Sequence, residues 1–179
     1  MKHFFVITGG PGVGKTTLLN ALQADEYKVV QEAARGIIRE ETETDGDALP
    51  WKNKQLYTDK MIAVSILDYN RATASQPNEI CFFDRSILDA VCYADMIGYA
   101  LSTETMKKVL NCSYNPKVFI LPPWKEIYQT DNERKQDWQE AEHTYFQMKS
   151  TYEKHGYEVI NVPIGNINER KEFVLTHIK

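Results

Sequence analysis

The chain has 179 residues, of which 42% are hydrophobic and 26% are charged, a composition typical of one globular domain with a hydrophobic core. Its formal net charge is −4 and it has no dense Lys/Arg cluster, which argues against a nucleic-acid partner because phosphate backbones attract basic surfaces. It contains neither a basic and apolar leader nor an apolar run of about eighteen residues, so we expect a cytoplasmic protein without a membrane partner.

The cysteines indicate neither a disulfide framework nor a zinc site. Cys81, Cys92 and Cys112 lie far apart in the sequence, and none of them forms a Cys-x-x-Cys pair. We expect them to be buried intracellular thiols.

A glycine-rich motif near the start of the chain is the most informative stretch. The apolar run at 4–7 predicts a buried strand, and the leucines between residue 15 and about residue 24 predict a helix with one apolar face. Between them, GGPGVGKT satisfies the pattern G-x-x-x-x-G-K-[ST]. Glycines let successive backbone N–H groups point into one concavity, and the following helix adds its positive N-terminal end. The motif therefore predicts a triphosphate site.

The residue types of the motif predict how ATP and Mg²⁺ are held. Lys15 reaches the β- and γ-phosphates as a point charge, and the Thr16 hydroxyl ligates Mg²⁺. The predicted nucleotide-binding residues are Gly10, Gly12, Val13, Gly14, Lys15, Thr16 and Thr17.

A second strand is predicted at 28–31, followed by a helix that begins with EAARGIIREE. Glu32 and Arg35 are three residues apart and share a face of this helix, so an exposed ion pair is one interpretation. Glu32 also follows the carboxyl end of a strand, where ligands bind in open α/β sheets, and is therefore a candidate catalytic residue.

The acidic segment 41–50 has no hydrophobic period and predicts a loop, whereas 51–75 has the pattern of a long amphipathic helix. Trp51, Gln55 and Tyr57, at its start, either line a substrate pocket or pack against neighbouring helices.

The run EICFFDR predicts a strand covered on both faces, which ends in a carboxylate. If this strand lies beside the first one, Asp84 holds a Mg²⁺-bound water or accepts the proton of an attacking hydroxyl. The alternative is that Asp84 caps the helix predicted at 86–97.

A fourth strand at 117–121 ends at two prolines, and the charged stretch 125–143 that follows predicts helix in two pieces. Such a charge run is usually a solvated face. Phosphoryl transfer nevertheless needs cations over the γ-phosphate, which makes Arg134 and Lys135 candidates in a closing lid at 125–138.

A helix at 103–111, a fifth strand at 157–162 and a final helix complete the alternation of strands and helices. The pattern predicts one α/β domain over 1–179 with a mostly parallel five-stranded sheet. The motifs of several nucleotide-binding classes are missing: the guanine-reading N-K-x-D of GTPases, the L-S-G-G-Q of ABC ATPases and the paired acidic residues of AAA+ motors.

The stretches GGPGVGKTTL, VVQEAARGIIREE, FFDRS and YEVINVP with its downstream ER resemble the AAA_28 group of small phosphate-loop proteins, which includes nicotinamide riboside kinase domains. FFDRS is also similar to the D/E-R-[SYH] element of thymidylate and deoxynucleoside kinases. The resemblance implies a nucleoside-monophosphate-kinase-like sheet ordered 2-3-1-4-5 with ATP on the phosphate loop. It also matches Glu32 and Arg35 to a family E-x-x-R, and Asp131 and Arg134 to a D-x-x-R in the lid region.

Together these features predict an ATP- and Mg²⁺-dependent phosphotransferase for a small hydroxyl or phosphate acceptor that resembles a nucleoside. Lys15, Asp84, Arg134 and Glu32 are its expected catalytic residues, with Asp84 or Glu32 as the base and Thr16 and Asp84 as the metal ligands. The alternative is a nucleotide-binding regulatory switch with slow hydrolysis and a protein partner. The sequence leaves the acceptor and the oligomeric state open.

Overall fold

The computed structural model describes residues 3–75, 78–126 and 138–178. It contains a five-stranded parallel sheet in the order β2-β3-β1-β4-β5, which confirms the predicted topology. The strands are β1 (Phe4–Thr8), β2 (Lys28–Val30), β3 (Cys81–Asp84), β4 (Lys117–Ile120) and β5 (Glu158–Asn161).

Helices cover both faces of the sheet and connect its strands. They are α1 (Lys15–Ala24), α2 (Ala33–Glu43), α3 (Lys54–Ser75), α4 (Ile87–Met96), α5 (Thr103–Leu110), α6 (Trp138–Lys154) and α7 (Ile167–His177). Within the described ranges, no helix is long and apolar enough to cross a membrane.

The central strand β1 is buried on both faces because its side chains alternate between two cores. Phe4 and Val6 point into one cluster, which also takes in residues of α3 and α4. Phe5 and Ile7 point into the other, which is closed by α1 and α7. The sheet is therefore the middle layer of three, and the apolar runs in the sequence are the strands of a sheet covered on both sides.

The boundaries of two helices, α2 and α3, differ from the predicted ones. Helix α3 begins at Lys54 instead of residue 51, since the Asn53 side chain accepts a hydrogen bond from the backbone N–H of Leu56 at 3.0 Å and so caps the first turn. Helix α2 continues to Glu43, into the segment predicted as a loop. The three cysteines are buried and free, as expected.

The charged stretch after β4 is only partly described. Residues 138–143 belong to α6, which continues to Lys154, past the predicted end at residue 143. Arg134, Lys135 and Asp131 lie outside the described residues, so their assignment to a lid at 125–138 stays a prediction, as does the single domain over 1–179.

Candidate active site

The phosphate loop connects the carboxyl end of β1 to the N-terminus of α1, and its glycines are required by its shape. Gly9 has φ +140°, and a Cβ there would lie 2.7 Å from the carbonyl oxygen of Leu121. Gly14 has φ +83° and precedes the first residue of α1. Both values lie in the region where only glycine is unstrained, so the sequence forms this loop without steric strain of the backbone.

Lys15 is buried, with 6% of its surface exposed, and its ammonium group folds back over the loop. Nζ donates hydrogen bonds to the carbonyl oxygens of Gly9 and Gly10, each at 3.1 Å. Burial, with a smaller contribution from the positive charge of Arg85, lowers the pKa of Lys15 to about 8. A desolvated cation held at the loop is well placed to attract a phosphate.

Asp84 ends β3, the strand that pairs with β1, and its backbone lies opposite Ile7 just before the phosphate loop. Burial raises the pKa of this carboxyl group, and the nearby charge of Lys15 offsets only part of that effect. Ser86, and not Asp84, caps α4, because the Ser86 side chain accepts a hydrogen bond from the backbone N–H of Leu88. The capping interpretation of Asp84 is therefore wrong.

The donor atoms at this edge of the sheet suit Mg²⁺. Oδ1 of Asp84 is buried and has no hydrogen-bond partner among the described residues, and Thr16 is an exposed hydroxyl residue in the first turn of α1. Mg²⁺ prefers hard oxygen ligands and usually takes one or two from the protein, with waters and phosphates completing the shell. Asp84 and Thr16 fit that requirement.

Glu32 precedes α2 at the carboxyl end of β2, and only 12% of its side chain is exposed. Nε of Arg85 contacts Oε1 of Glu32 at 2.7 Å, and Nε of Arg35 lies 3.3 Å from Oε2. Burial raises the pKa of Glu32, but the charges of Arg85, Lys15 and Arg35 outweigh burial and hold it below its usual range. The predicted pair with Arg35 thus exists, but its carboxylate is mostly buried and shared with Arg85.

Arg85 has φ +74°, which is rare for a residue with a side chain and marks the turn between β3 and α4. Its guanidinium lies between Glu32 and Asp89, with Nη1 3.2 Å from Oδ1 of Asp89. Burial lowers the pKa of Arg85, but Glu32, Asp89 and Asp84 more than offset this and raise it overall. Arg85 therefore stays charged between two carboxylates.

A cavity of about 260 Å³ opens beside these residues. It is lined by Pro11 of the phosphate loop, by Glu32 and Asp84, and by residues of α3 and α4. The loop and the carboxylates thus face a single space.

The sequence matches the model of the AAA_28 family, described as an AAA domain, over residues 4–170. The chain belongs to this family. A search of curated proteins gives no match. Among solved structures, NadR in complex with NR has a TM-score of 0.71 at 18% identity, with 96% of this chain and 51% of the NadR chain covered. This chain thus spans about half the length of NadR.

Two further solved structures cover nearly the whole of both chains. Deoxyadenosine kinase from M. mycoides with bound dATP has a TM-score of 0.61 at 15% identity, with 98% of each chain covered. Thymidylate kinase from Ehrlichia chaffeensis also has a TM-score of 0.61, at 16% identity, with 99% of this chain and 98% of the kinase covered. The fold of this AAA_28 chain is accordingly the phosphate-loop fold of nucleoside and nucleotide kinases.

The structure of the AAA_28 chain brings Lys15, Asp84 and Glu32 to one edge of the sheet, as their positions in the sequence predict. Of the residues predicted to begin the long helix, Tyr57 is buried and lines the cavity, whereas Trp51 precedes α3 and is 65% exposed. Sequence reasoning gave no role to Arg85, although FFDRS contains it.

Asp89 is a second residue without a predicted role, and it accepts hydrogen bonds from four donors. Oδ1 accepts from the Thr8 hydroxyl and Arg85, and Oδ2 accepts from the backbone N–H of Ser86 and the Tyr152 hydroxyl. Because the Tyr152 proton points to Asp89, the Ser86 hydroxyl donates to Tyr152 at 2.7 Å. Asp89 follows Arg85 by four residues at the start of a helix, and this spacing is the signal in the sequence for the Arg85–Asp89 ion pair.

Replacing Asp89 by Asn is expected to lower the free energy of unfolding by about 3 kcal/mol, because an amide removes the charge beside Arg85 and turns N–H groups toward other donors. Urea denaturation monitored by circular dichroism measures the loss. Asp95→Asn, at an exposed position of the same helix, is the matched control. Equal stability of the two variants would contradict a central role of Asp89 in the network.

Proposed function

We propose that the chain is an ATP- and Mg²⁺-dependent phosphotransferase that moves the γ-phosphoryl group to a hydroxyl of a small, nucleoside-like acceptor. One observation carries the proposal: Pro11 of the phosphate loop lines the same cavity as Glu32 and Asp84. An acceptor in this cavity meets the end of a triphosphate on the loop, and two carboxylates lie where its hydroxyl would react.

The residues at this edge would divide the work of phosphoryl transfer. The loop N–H groups and Lys15 hold the phosphates and stabilise the charge that spreads over the transferring group. Asp84 and Thr16 would hold Mg²⁺, which neutralises charge on the β- and γ-phosphates when bound. Glu32 would orient the acceptor hydroxyl and accept its proton, and Arg134 stays a predicted cation over the γ-phosphate.

Charge in the cavity favours a hydroxyl acceptor over a phosphate acceptor. The described residues that line the cavity include four with carboxylates and one cation, Arg85. The carboxylates are those of Glu32, Asp68, Asp84 and Asp89. Arg85 is already paired with Glu32 and Asp89. A phosphate dianion would therefore enter a space of net negative charge, whereas a neutral or cationic alcohol meets no such repulsion.

The walls of the cavity favour a ring. Tyr57 and Tyr93 meet edge to face with their ring centroids 5.7 Å apart, and Phe83 and Met61 add apolar surface. Flat aromatic walls contact planar rings well. The similar structures include a deoxyadenosine kinase with bound dATP and NadR with NR, which supports a nucleoside-like acceptor and ATP as the donor.

Acceptor-dependent ATP turnover tests the proposal. The full chain with ATP and Mg²⁺ is assayed for ADP release against matched nucleosides and nucleoside monophosphates. We expect at least one nucleoside to raise turnover about a hundredfold or more over the acceptor-free rate, since an oriented acceptor replaces a chance water. Stimulation by monophosphates alone would overturn the hydroxyl acceptor, and equal turnover with and without every acceptor would favour the regulatory switch.

A further inference from the structure

The guanidinium of Arg170 lies against the back of the phosphate loop, although α7 follows the loop by more than 150 residues. Only 5% of its surface is exposed, and Nη2 donates a hydrogen bond to the carbonyl oxygen of Val13 at 3.0 Å. Nη1 lies where a side chain on Gly14 would begin, 2.7 Å from an ideal Cβ. A glycine at position 14 thus serves both the backbone turn and the approach of this side chain.

This hydrogen bond determines where one loop N–H group points. The carbonyl of Val13 and the N–H of Gly14 belong to one planar peptide unit, and the described residues contain no cis peptide bond. In a trans peptide the C=O and N–H bonds point in opposite directions. Because the carbonyl is turned toward α7, the Gly14 N–H points the opposite way, to the side of the loop that faces away from α7.

We propose that Arg170 is a positioning residue for the triphosphate: by holding the Val13 carbonyl, it keeps the Gly14 N–H directed at the phosphates. The inference rests on the proposed donor site. The cation also polarises the Val13–Gly14 peptide, and a hydrogen bond at the carbonyl makes the N–H of the same peptide a stronger donor. Its full charge behind the loop adds to the attraction of the anion.

Trp124 keeps the guanidinium in place. Cζ of Arg170 lies 5.7 Å from the centroid of the Trp124 ring, within reach of a cation–π contact. Trp124 follows β4, so this contact connects the loop, α7 and the end of the fourth strand. Nε of Arg170 is buried and has no hydrogen-bond partner among the described residues, which leaves the aromatic face and the Val13 carbonyl as the contacts that orient the group.

The test measures binding of ATP and of inorganic tripolyphosphate to the full chain by calorimetry, in wild type, Arg170→Met, Arg170→Lys and Lys171→Met. Lys171 is the matched control, since it is the next cation of α7 and pairs with Asp25 at the end of α1, 2.6 Å away. Both ligands are used because they share the triphosphate. A residue that positions the contacts to phosphate changes the affinity for both by the same factor.

We expect Arg170→Met to lower the affinity for both ligands by about tenfold or more, which is the order of one charge-assisted hydrogen bond. Lys171→Met should bind both ligands like wild type. Arg170→Lys should restore part of the loss, because an ammonium keeps the charge but not the planar guanidinium whose Nη2 donates to the Val13 carbonyl. Wild-type affinity of Arg170→Met overturns the inference. If that variant does not fold, Arg170→Lys decides: an affinity within twofold of wild type overturns it, and a weaker one supports it. Absence of tripolyphosphate binding in wild type would instead overturn the donor site.

Discussion

Replacing Lys15 by Met is expected to abolish the stabilisation of the protein by ATP. A ligand at a hundred times its dissociation constant adds about 2.7 kcal/mol to the free energy of unfolding. For a chain of this length that corresponds to a rise of roughly 5–10 °C in Tm. The variant should lose this rise, because Lys15 is the buried cation of the loop and, in the proposed donor site, its ammonium would exchange the Gly9 and Gly10 carbonyls for phosphate oxygens.

Methionine fills a similar volume, and it removes a buried charge whose desolvation opposes folding, so the ligand-free variant should melt near the wild-type temperature. Differential scanning fluorimetry with and without Mg·ATP measures both values. Lys28→Met is the matched control, since Lys28 is exposed at the start of β2, the end of the strand away from the site. A full ATP shift in Lys15→Met would show that the loop is not the donor site.

The fold was predictable from the sequence because its signals are local. A strand buried on both faces is largely apolar, and β1 and β3 are apolar up to their last residues, Thr8 and Asp84. The glycine loop fixes a strand before it and a helix after it. The strand order was predicted from the resemblance to the AAA_28 group and not from the local sequence pattern, because that pattern does not indicate which strands are neighbours. The boundary of α3 was missed because Asn53, and not the hydrophobic period, decides where that helix begins.

The placement of Lys15, Glu32 and Asp84 was predictable, because Lys15 belongs to the motif that connects β1 to α1, Glu32 follows β2 by two residues, and Asp84 ends β3. The site was not predictable where a role depends on contacts between distant segments. Asp89 accepts a hydrogen bond from the Tyr152 hydroxyl, 63 residues away in the sequence, and Arg170 donates one to the Val13 carbonyl across 157 residues. No spacing rule encodes such pairs, because tertiary packing creates them. Their partners become visible only when the fold places α6 beside α4 and α7 beside the loop.

Replacing Glu32 by Gln is expected to lower kcat by about a hundredfold or more while leaving ATP affinity nearly unchanged, the order of effect for losing a positioned base. A phosphoryl-transfer transition state is loose, so the acceptor hydroxyl keeps its proton until late and a weakly basic carboxylate suffices to orient it and take that proton. Glu32 suits this role, because Arg85 and Arg35 fix its two oxygens. Gln keeps the size and one oxygen but cannot accept the proton.

The pH profile separates this role from a structural one. Although burial raises the pKa of Glu32, Arg85, Lys15 and Arg35 together hold it below the usual value, so the carboxylate is ionised through neutral pH. A base works when deprotonated, and wild-type kcat should therefore stay constant with respect to this group down to about pH 5 and fall only as pH drops through the lowered pKa. Glu32→Asp should recover part of kcat, and Glu43→Gln, at an exposed position at the end of α2, is the matched control. These rates are measured with the acceptor found in the turnover assay. If kcat of Glu32→Gln lies within about threefold of the control, Glu32 is not the base and serves only as the ion-pair partner of Arg85. Loss of a proton acceptor would lower kcat by far more than about threefold.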